Sequence, residues 1–187
     1  MPLAKWLCHV FGCYRYTYQK SLTKYIHTLN YPMPDLERLC QLAAYLLVKT
    51  MRLKSAACLV LERKTNQYVV RSGEGEAHQL RLEGFSLPVD EPLFKELLKG
   101  KTVLSPVAGL GSQVNLFLPV ISKSSHFNQP TLLGVVCLGQ MISGDQFSGK
   151  DISFLLGLIK QASHNLETAF MHEEMRNTPS PSGRGQL

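Results

Sequence analysis

The stretch from Leu132 to Phe170, LLGVVCLGQMISGDQFSGKDISFLLGLIKQASHNLETAF, constrains the fold more than any other part of the chain. It opens with an apolar run of strand length, crosses a polar loop and ends in a long amphipathic helix. Within the helix Ile152, Leu155, Ile159, Ala162, Leu166 and Ala169 recur at intervals of 3-4-3-4-3. That rhythm averages about 3.5 residues, the period that keeps one seam facing a partner helix. A lone amphipathic helix packing on its own sheet needs much the same stripe. Phe154, Leu156, Leu158 and Phe170 widen the apolar surface beyond one seam. The pattern therefore predicts a helix that covers a sheet and also meets a second helix, preferentially that of a second copy in a homodimer. Ser148, three residues before Asp151, predicts a cap of the capping-box kind at the helix start.

The rest of the chain supplies the sheet. Residues 14–29 place Leu22, Tyr25, Ile26 and Leu29 at helical spacing, and Pro32 and Pro34 end that helix. A second helix starts near Asp35, with Leu36, Leu39, Cys40, Ala43, Leu46 and Leu47 as its stripe, and runs to about Met51. Ala56–Glu62 and Gln67–Arg71 read as a β-hairpin, and residues 72–76 (SGEGE) as a loop. A short helix, Leu93–Leu98, closes at Gly100. Val103-Leu104, Val114–Ile121 and Leu132–Met141 read as further strands, and residues 173–187 as a disordered tail. Hairpin connections dominate, so the expected fold is α+β: an antiparallel sheet of five to six strands with the terminal helices on one face.

Composition narrows the function. The net charge of +6 is spread along the chain, and no helix-turn-helix, zinc-finger or RNA-binding pattern accompanies it, so nucleic acid is not an expected partner. No apolar run approaches the length of a transmembrane helix. Trp6 to Phe11 with nearby basic residues leaves peripheral membrane contact as a lesser alternative. The five cysteines include no Cys-x-x-Cys pair, and without a signal peptide they fit a reducing cytoplasm. Cys40, Cys58 and Cys137 fall in apolar stripes and read as small core hydrophobes. No metal-ligand spacing is present. His78 and His126 stand in loops without a nucleophile at recognisable spacing.

From Asp35 to Phe170 the ordered pieces resemble a GAF domain, a small-ligand sensor module. They are DLERLCQLAAYLLVKTM, SAACLVLE, PLFKELLKGK with TVLS, and LLGVVCLGQ followed by FSGKD and ISFLLGLIKQASHNLETAF. The preceding helix, QKSLTKYIHTLNYPMPDLERL, resembles the linker before such a domain in sensor histidine kinases, although no kinase motif is present. The resemblance implies residues 1–34 as a linker, 35–172 as the sensor domain, and a stand-alone module or fragment that works with a signalling partner such as a histidine kinase.

What the family implies about chemistry is more restricted. Phe147 and Asp151 match only part of the cyclic-nucleotide signature of such domains, and Cys8-His9 lies ahead of the domain where a bilin-attaching pair would lie inside it. No cofactor is named. The resemblance places a small-molecule pocket between the sheet and the loops around residues 72–118, with Tyr68, Phe85, Leu93, Phe94, Leu104, Asn115 and Phe117 as lining candidates. The functional expectation is a non-enzymatic sensory and dimerisation module that relays through its terminal helices. The alternative is a small-molecule, thiol-dependent reductase on the same fold, using Cys58 and Cys137.

Overall fold

A computed structural model describes residues 20, 23, 35–76, 84–104, 114–123, 127 and 129–177. Most of the expected N-terminal helix, residues 178–187, His78 and His126 lie outside the described residues. The elements are α1 (Leu36–Met51), β1 (Ser55–Glu62), β2 (Gln67–Gly75), β3 (Ser86–Pro88), α2 (Pro92–Leu98), β4 (Val114–Ser122), β5 (Thr131–Gly139) and α3 (Gly149–Asn177).

Helix α1 starts where the sequence says it should. The Asp35 carboxylate accepts from the backbone N–H of Glu37 and Arg38, satisfying donors that have no partner within the helix. Its other end is closed by Arg52 in the left-handed region, whose N–H reaches the Val48 carbonyl. At α3 the reciprocal cap forms as expected. Asp151 Oδ2 accepts from Ser148 N at 2.8 Å and from Ser148 Oγ at 2.6 Å, while Asp151 N donates to Ser148 Oγ at 3.3 Å.

The five strands form one antiparallel sheet in the order β3-β2-β1-β5-β4. The first and last strands, β1 and β5, are therefore neighbours in the interior of the sheet, and their Val/Leu-rich runs are buried on both faces. Gly134 is required there. A Cβ at that position would stand 2.6 Å from the Leu59 carbonyl oxygen of the adjacent strand. β2 continues to Gly75, so residues 72–75, expected as loop, are strand paired with Ser55–Cys58 across a bulge. The ladder uses backbone groups, which a polar, glycine-rich sequence supplies as well as an apolar one. Val103-Leu104 is reduced to a single bridge between Val103 and Phe117.

Two apolar layers sandwich the sheet. On one face α1 and α3 pack over Cys58, Val60, Leu116, Leu118, Val120 and Leu138. On the other, α2 covers Leu59, Tyr68, Val70, Phe117, Val135 and Cys137. Helix α3 runs to Asn177, so residues 173–177 are helical where a disordered tail was expected from 173.

Candidate functional site

The α2 face gathers most of the residues expected to line a pocket. Pro92 opens α2, and its buried side Leu93, Phe94 and Leu97 leans on the sheet. Phe94 meets Tyr68 with ring centroids 4.0 Å apart at 32°. The Tyr68 hydroxyl donates to the Leu132 carbonyl at 2.8 Å, across to β5. Burial holds this phenol well above its ordinary ionisation range, so it stays a neutral donor. Phe117 is completely buried beneath the Val103 bridge, with N–H to O contacts of 2.9 and 3.3 Å in the two directions. Phe85 is half-buried at the margin of this cluster.

Two expected residues are not part of it. Leu104 is 62% exposed, just past the bridge. Asn115 sits half-buried at the β4 bulge, where the register shifts between Val114 and Leu116. Residues 77–83 and 105–113 lie outside the described residues.

The cysteines divide between the faces. Cys58 lies opposite Val136 and turns toward α1, where its thiol donates to the Cys40 carbonyl at 3.6 Å. Cys137 lies opposite Ala57 and belongs to the α2 layer. Side chains alternate across a strand, so Cys58 and Cys137 sit on opposite sides of the sheet. The contact with the Cys58 thiol, then burial, pushes the Cys40 thiol up; burial does the same for Cys137. Thiols held protonated in apolar surroundings are poor nucleophiles. Among the described residues no group of three His, Cys, Asp or Glu side chains is arranged to hold a metal.

The α3 seam faces inward. Leu155 and Ala169 are 1% and 0% exposed within the chain's own core. Ile152, Ile159 and Leu166 pack partly against that core, and Ala162 is half-buried. The stripe that suggested a partner helix is thus largely used by the sheet, which needs the same helical face. Phe154 and Leu158, beside the seam, are half-buried and pack partly against the same core.

A polar clasp that sequence reasoning missed ties the C-terminal half of α3 to the first hairpin. Arg71 Nη2 reaches Glu173 Oε1 at 3.1 Å and Glu62 Oε1 at 3.4 Å. Arg63 pairs with Glu174 at 3.0 Å and lies over the rings of Phe127 and Phe170, at 4.9 and 5.5 Å from their centroids. Only the bases Arg63, Lys64 and Arg71 and the acids Glu173 and Glu174 hinted at it, and charge alone carries no long-range address.

No family sequence profile matches the chain, and no curated protein matches it in sequence. Solved structures do match. The GAF domain of an Acinetobacter phosphoenolpyruvate-protein phosphotransferase is 17% identical, with a TM-score of 0.62 over 81% of this chain and 93% of that one. The corresponding domain from Coxiella burnetii is 16% identical, with a TM-score of 0.64 over 84% and 97%. The free methionine-R-sulfoxide reductase of Neisseria meningitidis, solved with its substrate, is 15% identical, with a TM-score of 0.61 over 82% and 90%. The fold is that of a GAF domain. Among the described residues no helix is long and apolar enough to cross a membrane.

Proposed function

We propose that this chain is a non-enzymatic sensory module that receives a small molecule on the α2 face, pairs with a second copy and relays through α1 and α3. The observation that carries this reading is the division of the thiols. Cys58 and Cys137 lie on opposite faces, and the thiols of Cys40 and Cys137 are held protonated by their surroundings. The alternative, a thiol-dependent reductase using Cys58 and Cys137, needs thiolates that work together. Both terminal helices share one face of the sheet, so a change in sheet packing reaches them together. Pairing would use the α3 flank at Phe154 and Leu158, since Leu155 and Ala169 are committed inward. Incubating the protein with free methionine sulfoxide and a thiol reductant tests the reading against its alternative. No methionine is expected to form. Turnover that disappears in Cys58→Ser or Cys137→Ser contradicts the proposal and supports the thiol-dependent reductase.

A further inference from the structure

The α1/α3 face contains a second candidate site, distinct from the α2 face. Between α1, the sheet and α3 lies an apolar cavity of about 40 Å³, with Cys40, Ala43, Cys58 and Val136 among its walls. A void of this size exceeds the ~10–15 Å³ that one water needs, yet its lining offers almost nothing to hold water. Beside it a cleft of about 210 Å³ is lined by Glu62, Arg63, Lys64, Arg71, Glu173 and Glu174. The two share the side chains of Leu36 and Phe170.

The three carboxylates at this junction are each engaged by a cation. Glu62 spends one oxygen on Arg71 and the other on the Thr65 hydroxyl at 2.7 Å. Glu173 and Glu174 face Arg71 and Arg63. Among the described residues, in contrast, the buried Nε of Arg71 has no hydrogen-bond partner, and neither has the buried hydroxyl of the adjacent Ser72. A buried guanidinium N–H without an acceptor is costly, and a carboxylate oxygen is its best-matched partner.

We propose that this junction binds a small aliphatic monocarboxylate, its carboxylate on Arg71 and its tail in the cavity beside Cys40 and Cys58. A ligand there touches both terminal helices, because Leu36 belongs to α1 and Phe170 to α3. The site stands whether or not the α2 face binds anything.

Titration calorimetry of the full chain with butanoate, hexanoate and octanoate tests it, with hexanol and hexylammonium as controls. Affinity is expected to rise about fourfold per methylene until the cavity is filled, the equivalent of ~0.8 kcal/mol for each buried methylene. Ala43→Leu, which fills the cavity from α1, abolishes binding without lowering the melting temperature. Arg71→Gln weakens hexanoate at least about tenfold and leaves hexanol unaffected. Amide shifts on hexanoate binding cluster at Cys40, Cys58, Arg71 and Phe170. Absence of binding, equal affinity for hexanoate and hexylammonium, binding that survives Ala43→Leu, or shifts centred on Tyr68, Phe94 and Phe117 would each overturn the proposal.

Discussion

Arg71 on β2 and Glu173 on α3 meet at 3.1 Å, so the end of the last helix is held by the first hairpin. The pair joins residues far apart in sequence, and Arg63 with Glu174 repeats the connection. Neither pair is fully buried, so each contributes about 1 kcal/mol or less. The larger effect is local. In Glu173→Gln, amide exchange of residues 170–177 is expected to accelerate severalfold, while the sheet amides keep their protection. Unchanged exchange would mean that apolar packing alone holds the helix.

The inward seam makes a prediction about which α3 substitutions unfold the domain and which only separate copies. Leu155→Ala removes a fully buried side chain and should cost about 2–5 kcal/mol in urea unfolding. Leu158→Glu, at a half-buried position, should cost less than Leu155→Ala. Sedimentation velocity should show Leu158→Glu shifting the chain toward the monomer.

The helix caps are separable from any ligand role. Ser148→Ala deletes the hydroxyl that donates to Asp151 and accepts from its N–H, leaving a buried carboxylate with fewer donors. A loss of about 1–2 kcal/mol is expected, read as a lower thermal midpoint. Asp35→Ala should cost less, about 1 kcal/mol, because that cap is exposed.

Alkaline pH should weaken the fold through groups held protonated inside it. The Cys40 and Cys137 thiols lie above their ordinary 9.0, and the Tyr68 phenol above its ordinary 10.0. A raised folded-state value means that the contribution is complete below the unfolded value and is lost as pH rises through the folded one. Unfolding free energy should therefore fall from about pH 9 upward, and Cys137→Ala should flatten that decline. With Cys8 and Cys13 replaced by serine, Ellman's reagent should label the native protein only as fast as it unfolds.

Local chemistry made much of this fold legible in the sequence. Asp35 before an apolar stripe, Ser148 with Asp151, Pro92 with Gly100, and the buried runs of β1 and β5 each announce an element by a mechanism that acts within a few residues. Three features were not local. The SGEG end of β2 forms a strand because Ser55–Cys58 offers it backbone partners, which side-chain pattern does not encode. Leu104 reads as a pocket residue by type, but the chain leaves the sheet after Val103. The α3 stripe has the same period whether it meets a sheet or another helix, so spacing alone does not assign Leu155 and Ala169 to the chain's own core. Tyr68, Phe94 and Phe117 did converge, since they lie on strands and a short helix whose order fixes one common layer.

Native mass spectrometry of the full chain tests the sensory and pairing account most directly, since it reports oligomeric state and non-covalent cargo together. The account predicts a two-chain species that retains a small molecule and reverts to one chain in Leu158→Glu. A single-chain species without cargo at every concentration would contradict it.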